Sequence, residues 1–366
     1  MGVNVTGIVH YGYGDFYPRT TDEDVEAELS DLEHMGASIV RVIVAYNGIS
    51  PSETAMRLSR FLTRAEAHHL SVLVSFINYY GPGQNPRGVD RYYTEEWKGI
   101  LYLNHAFMAE GYKSEYLDLV RTVISATKSH PNIYAWEPGN ELQDRDKSTF
   151  VAFMQDVSGL MKALDPARPV ASGMIEASQA GFTADDLYAQ LPNVDMIAIH
   201  PGNGYRGSSR DVDWALSHGR KAIVEETGYG ARDDRTEHYR DEIEFWWQRG
   251  VSAFLIDGFV GKGLADNGNG DSQLGFDTIW HTDYDGLSSL VATYSSPWKR
   301  AFAPGPSATP TPGPLRTVDW TEIDARLKAA GYSEEYDHGL LEAGAFARAC
   351  QCSAVPAAGG LDTNAL

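Results

Sequence analysis

The sequence predicts an α/β protein: a (β/α)8 barrel (a TIM barrel) with a short C-terminal helical extension. Three observations lead there. Apolar runs alternate with helical stretches through residues 1–303, which is the pattern of βα units on a parallel sheet. There are eight runs, at 3–9, 38–45, 70–77, 132–136, 169–172, 195–200, 221–225 and 251–256. The fourth and the seventh lead into carboxylates, and chemistry in this fold gathers at the C-terminal strand ends. A doubly wound open sheet would need a glycine-rich turn leading into a helix after the first strand. The segment 10–17 (HYGYGDFY) has the glycines, but no such helix follows it.

In order along the chain, the first run ends at His10-Tyr11. The stretch 21–35 reads as a helix: Thr20 and Thr21 can cap it, acids fill its first turn, and Gly36 follows its end. SIVRVIVA at 38–45 is a buried-type strand interrupted by Arg41. A helix at 51–69 leads to the strand LSVLVSFI at 70–77. Residues 78–111 are too many for a plain connection, so they read as a functional loop. A helix at 114–128, a strand at 132–136, a helix at 149–164 and a short strand at 169–172 follow. Next come DMIAIH at 195–200, KAIVE at 221–225, a helix at 237–249 and VSAFLI at 251–256. A second long loop, rich in Gly and Asp, runs to about residue 285, and a helix at 286–294 closes the barrel. PGPSATPTPGP at 304–314 is a solvated linker. Residues 315–366 form a helical extension with a flexible tail, left to contact another protein or carbohydrate.

Composition limits the partners. Thirty Lys and Arg against 50 Asp and Glu give a formal charge of -20. Nucleic acid and anionic membranes call for the opposite field, so both are excluded as partners. A neutral substrate fits, and 20 Tyr, 13 Phe and 8 Trp offer flat faces for sugars. Cys350 and Cys352 are the only cysteines, too few for a thiolate metal site. No metal or organic cofactor is expected. No run approaches the ~18 apolar residues of a membrane span. The N-terminus, which lacks a basic start and an apolar core, reads straight into a strand.

Two motifs carry the chemistry. Trp136-Glu137-Pro138-Gly139-Asn140-Glu141 ends the fourth run, and Ile223-Val224-Glu225-Glu226-Thr227-Gly228 ends the seventh. Cleaving a glycosidic bond takes one carboxylic acid to protonate the leaving oxygen and a second carboxylate on the other face of the sugar. Glu141 suits the first role, beyond a buried strand whose apolar walls raise a carboxyl pKa. Asn140 can donate to the neighbouring sugar hydroxyl, and Glu137 is the lesser candidate. A single acid at a strand end is as readily a helix cap or an ion pair. A pair on opposed strands of one barrel mouth is harder to explain that way. Arg41, inside an apolar strand, needs a carboxylate partner. His200, at the end of the sixth run, is either a satisfied core residue or a site residue. The cluster Asn78, Tyr79, Tyr80, Tyr92, Tyr93 and Trp97 is either a sugar platform or the core of a folded loop.

These motifs resemble clan A of the glycoside hydrolases, and within it family 5, which holds cellulases and β-mannanases. Trp136 to Glu141 is similar to the family's Trp-Glu-x-x-Asn-Glu, and Glu226-Thr227-Gly228 to its Glu-aromatic-Gly, with Thr in the aromatic position. The resemblance implies a retaining hydrolase with Glu141 as acid/base and Glu226 as nucleophile. It places Arg41, Asn140, His200, Tyr205, Asn78 and Trp136 in the substrate-binding region, with Tyr205 holding the nucleophile. The family ends its eighth strand with a Trp; here Phe259 or Trp280 would supply that platform. The implied substrate is a β-linked neutral polysaccharide, β-1,4-mannan first and β-1,4-glucan next. A polymer of that kind implies an extracellular protein, with a cytoplasmic or virion location left open. The rival is a catalytically silent barrel, a carbohydrate-binding or virion structural module.

Overall fold

The computed structural model describes residues 1–5, 22–44, 50–80, 91–98, 100–201, 206–228, 235–259, 291, 293 and 294. Strand β1 (Gly2–Val5) precedes helix α1 (Asp22–His34), β2 (Ile39–Ile43), α2 (Pro51–Ala67) and β3 (Ser71–Ser75). A hairpin of β4 (Thr94–Trp97) and β5 (Ile100–Leu103) comes next, then α3 (His105–Ala109) and α4 (Glu115–Thr127). The order continues β6 (Ile133–Glu137), α5 (Lys147–Leu164), α6 (Ala184–Tyr188), β7 (Met196–Ile199), α7 (Ser209–Ser217), β8 (Lys221–Val224), α8 (Arg235–Arg249) and β9 (Ala253–Phe259). The linker and extension expected at 304–366, and most of the helix expected at 286–294, lie outside the described residues.

Seven of these strands pair in the order β6-β3-β2-β1-β9-β8-β7, and each pairing within that sheet is parallel. The two outer strands are joined through Val170 and Ala171, which bridge Trp136 of β6 and Met196 of β7 in parallel. The bonds Ala171 N–H to Trp136 O at 2.8 Å and Met196 N–H to Val170 O at 3.1 Å close the ring. The protein is therefore a (β/α)8 barrel whose fifth strand, expected at 169–172, is a two-residue bridge.

The strand pleat sorts side chains into two cores. Val40, Val42, Val72, Val74, Trp136, Ile197 and Val224 face outward and pack with the helices. Ile39, Leu73, Ala135, Ala171, Met196, Ala198, Ile223, Ala253 and Leu255 form a separate buried cluster within the ring. The helices start where the sequence permits. Ser50 accepts from Glu53 N–H at 3.2 Å with Pro51 in the first turn, and Asp146 accepts from Thr149 N–H at 2.8 Å. Helix α2 buries Leu58, Phe61 and Leu62 on one stripe. Full burial of such a side chain contributes about 1.5–3 kcal/mol.

Candidate active site

The lumen is apolar below and charged above. Two residues along a strand the side chain returns to the same face. So Arg41 stands above Ile39, Ser75 above Leu73, Glu137 above Ala135, His200 above Ala198 and Glu225 above Ile223. Each of these polar residues is buried, and so is Asn4 on β1.

Arg41 is the centre of this layer. Its Nη2 bonds Glu137 Oε1 at 2.6 Å and Asn140 Oδ1 at 2.7 Å. Its Nη1 bonds Asn4 Oδ1 at 3.0 Å and Glu226 Oε2 at 3.2 Å. Glu225 Oε2 lies 3.6 Å from Nη2. Burial works against the guanidinium charge, but Glu137, Glu225 and Glu226 outweigh it and raise the Arg41 pKa. His200 is the second cation. Its Nδ1 meets Glu141 Oε1 at 2.7 Å and Glu226 Oε2 at 3.7 Å, and its Nε2 meets Glu225 Oε2 at 3.3 Å. Burial would lower its pKa, yet Glu226, Glu141 and Glu225 push it up to about 10.

The two inner acids divide the remaining charge. Burial drives Glu137 well above the usual carboxylate range, and Glu225 adds to the effect despite Arg41. Burial would raise Glu225 too, but Arg41 and His200 reverse this and hold it at about 2. Glu225 Oε1 meets no N–H or hydroxyl donor among the described residues. Glu137 and Glu225 are hydrogen-bonded to each other, and the opposite directions of their shifts make Glu137 the one of the two that holds a proton more readily.

Backbone geometry sets Glu141 above this layer. Its φ is 55°, a left-handed value that is uncommon for a side chain larger than glycine. Its N–H is tied to Gly173 O at 2.7 Å, and the preceding Asn140 N–H to Ile77 O at 2.6 Å. Asn140 Nδ2 donates to Asn78 Oδ1 at 3.2 Å, which holds the amide for Arg41. The neighbouring Gly139 leaves no room: a Cβ there would come 2.6 Å from Ile77 O. Gly139→Ala should therefore displace Asn140 and Glu141. It should cost about 1–3 kcal/mol and lower kcat more than it raises KM. Thermal unfolding and steady-state kinetics check both effects; a variant equal to the parent in kcat would show that the turn tolerates the shift.

One oxygen each from Glu141 and Glu226 and one nitrogen of His200 lie within 4.8 Å of one another. Of the two acids after β8, Glu225 is sealed in the protein and Glu226 reaches solvent, its side chain 23% exposed. Glu141, His200 and Glu226 could converge on a cation, but imidazole ligates metals in its neutral form. A His200 held charged by three acids suits proton handling better.

Other expected residues fall elsewhere. Trp136 corrects the expectation of substrate contact: it is fully buried on the outer face of β6, its Nε1 donating to Asp165 Oδ2 at 3.1 Å. The pleat that turns Glu137 inward turns Trp136 out. Thr227, in the family's aromatic position, is also turned away, with Oγ1 donating to the buried Glu242 at 3.0 Å. Tyr205 and Trp280 lie outside the described residues, as does the side chain of Phe259, whose backbone ends β9. Sequence reasoning did not single out Asn4, whose signal was an amide between Val3 and Val5. Nor did it tie Tyr80, in the aromatic cluster, to Glu141, to which Tyr80 is hydrogen-bonded.

The charged layer also predicts a stability profile. His200, ordinarily near 6.5, sits at about 10, so its stabilisation is complete below about pH 6.5 and lost as pH rises through about 10. Glu225, ordinarily near 4.5, sits at about 2, so its share is complete above about pH 4.5 and lost as pH falls through about 2. Glu137, ordinarily near 4.5, is raised, so its share runs the other way, complete below about pH 4.5 and lost as pH rises. Thermal midpoints should therefore be highest near pH 4.5 and fall on both sides, more steeply above about pH 6.5 where His200 joins. His200→Gln should flatten the alkaline decline. An equally steep decline in that variant would assign it to other groups.

No family model matches the chain. In sequence it is similar to the probable mannan endo-1,4-beta-mannosidase F of Aspergillus flavus, 23% identical over 292 residues that cover 65% of this chain and 60% of that one. The chain thus spans about three-fifths of the length of that curated relative. In structure it is similar to an endo-beta-1,4-mannanase from Thermotoga petrophila, with a TM-score of 0.61, 18% identity, and coverage of 81% of this chain and 76% of that one. A glycoside hydrolase family 5 mannosidase from Rhizomucor miehei gives a TM-score of 0.60 at 13% identity, covering 82% and 93%. These likenesses in structure show the fold, a (β/α)8 barrel. Among the described residues no helix is long and apolar enough to cross a membrane.

Proposed function

We propose that this chain is a retaining glycoside hydrolase acting on β-linked neutral polysaccharide, with β-1,4-mannan as the first substrate and β-1,4-glucan the next. The observation that carries the reading is the approach of Glu141 and Glu226 to within 4.8 Å over the Arg41 guanidinium. Retaining enzymes hold their carboxyls about 5–5.5 Å apart, whereas inverting ones leave about 6.5–9.5 Å for a water. Glu226, charged against Arg41, attacks the anomeric carbon as the bond to the leaving oxygen breaks and Glu141 gives that oxygen a proton. Water then loses a proton to Glu141, and its oxygen displaces Glu226 from the sugar. No metal or organic cofactor takes part. The choice of mannan is supported by the names of the relatives in sequence and structure. A polymer substrate places the action outside the cell.

The test is reducing-sugar release from β-mannan, β-glucan, xylan and chitin. Mannan should give the highest rate. Release from glucan alone would move the specificity, and release from none would favour the silent binding module.

A further inference from the structure

Residues 172–177, which follow the fifth barrel strand, take no part in the proposed reaction, yet they hold the backbone of two residues at its centre. Gly173 O accepts from the N–H of Glu141 at 2.7 Å, and Ile175 O accepts from the N–H of His200 at 3.0 Å. The side chains of that pair meet above, with His200 Nδ1 2.7 Å from Glu141 Oε1. One short stretch therefore fixes both ends of the contact that holds Glu141.

A regular strand could not do both. Carbonyls along a strand point alternately to its two neighbours. Pro169 O takes the N–H of Trp136 on β6, and Val170 O takes that of Met196 on β7. Gly173 continues the odd-numbered set toward the β6 side. Ile175 belongs to the same set, but its carbonyl goes to His200 on the β7 side. The chain turns over between them, and Gly173, with a φ of 63°, is the left-handed residue in that interval. Both sides of the turn are anchored. Ser172 Oγ accepts from Ala198 N–H at 2.9 Å, and Asp211 Oδ2 accepts from Ala177 N–H at 2.7 Å. Both anchoring side chains are buried. Space singles out Gly173 as well: a Cβ there would lie 2.1 Å from Gly139 O and 2.7 Å from Glu137 Cγ. Arg41 clamps Glu137 with two bonds, at 2.6 and 3.3 Å, so the turn from Gly139 to Glu141 is the part that must yield.

We propose that Gly173 is a positioning residue for proton transfer: its left-handed turn sends two carbonyls to opposite neighbours and so sets where Glu141 delivers its proton. This rests on the reading of Glu141 as the acid. Gly173 is buried and acts through Glu141. Displacing Glu141 leaves Glu226 on Arg41, so cleavage of a bond that needs no proton is spared.

The test uses the full chain with Gly173→Ala. Gly219→Ala is the control, because Gly219 is also left-handed, at φ 70°, and nothing lies within 4 Å of a Cβ there. Each is assayed on two aryl glycosides that carry the glycone of whichever β-glycan the parent hydrolyses. One has a phenol leaving group, which needs a proton to depart, and the other a dinitrophenol, which does not. In Gly173→Ala, kcat/KM should fall about 10–100-fold on the phenyl substrate and stay within about twofold on the dinitrophenyl one. Gly219→Ala should leave the ratio of the two unchanged. Lost folding or damage to Glu226 lowers both substrates together, so an equal fall overturns the proposal, as does an unchanged ratio. If Gly173→Ala does not fold, Ser172→Ala loosens the same segment while only removing an atom. Its ratio should then fall about threefold, and an unchanged ratio overturns the proposal. Crystal structures of the variant that folds and of Gly219→Ala give a readout without turnover: the Glu141–His200 bond should be broken only in the first, and an intact bond there overturns the proposal. A parent that hydrolyses no glycoside removes the hydrolase reading, and the positioning of Glu141 by Gly173 then stands or falls with that bond.

Discussion

On the proposed double displacement, Glu226→Ala is expected to lose hydrolysis of every substrate, by about 10⁴–10⁶-fold, because no covalent glycosyl intermediate can form. Glu141→Ala will behave differently. An activated aryl leaving group needs little protonation, so the first bond still breaks and the intermediate accumulates. Azide then enters the space left by the carboxylate and releases a β-glycosyl azide, restoring turnover of that substrate. The asymmetry follows from position: Glu226 is fixed by Arg41 at 3.2 Å, while Glu141 is held by His200 at 2.7 Å. Circular dichroism of both variants separates misfolding from lost chemistry. Rescue in Glu226→Ala in place of Glu141→Ala would exchange the two roles, and equal loss without rescue would void the double displacement.

Arg41 should show the second large effect, on stability and activity together. Arg41→Ala leaves Glu225, Glu226 and Glu137 without their central cation. Removing one partner from a buried ion cluster costs about 3–5 kcal/mol. For a chain of this size each kcal/mol lowers the melting temperature by about 2–4 °C. Arg41→Met combined with Glu137→Gln removes part of the stranded charge and should regain part of that stability. Activity should stay low, since Glu226 still lacks its partner. Calorimetry and kinetics on the pair of variants decide the matter. Activity that recovers in step with the melting temperature would make Arg41 a structural residue only.

Much of the fold was legible because burial leaves periodic traces. Runs such as SVLVS in β3 and MIAI in β7 are apolar on both faces, as strands between a packed lumen and a helical shell must be. The hairpin β4–β5 and helices α3, α6 and α7 left weaker traces. Each is nine residues or fewer, and the hairpin strand TEEW is exposed and mostly polar. Short elements of that kind are held by neighbours: Asn104 caps α3 and also holds the carbonyls of Tyr92 and Thr94. The fifth strand was recognisable from Pro169 to Ser172, but only contacts with β6 and β7 make it part of a ring.

For the site, the sequence by itself determined which side chains were out of place. Arg41 in an apolar strand, and carboxylates after the fourth and seventh runs, violate the rule that buried charge must be paired. A local rule detects such a violation without knowing the partner. What only the tertiary structure decided is who pairs with whom. Glu225 and Glu226 are adjacent in sequence and equal in chemistry, yet the pleat sends Glu225 into the lumen between Arg41 and His200 and leaves Glu226 at the mouth. Glu137 and Trp136 divide in the same way between lumen and shell. Closing the ring brings β2, β6, β7 and β8 to one point. Desolvation there ties the protonation of Glu137, Glu225 and His200 to one another and to Arg41, a property of distances that no local stretch of sequence contains.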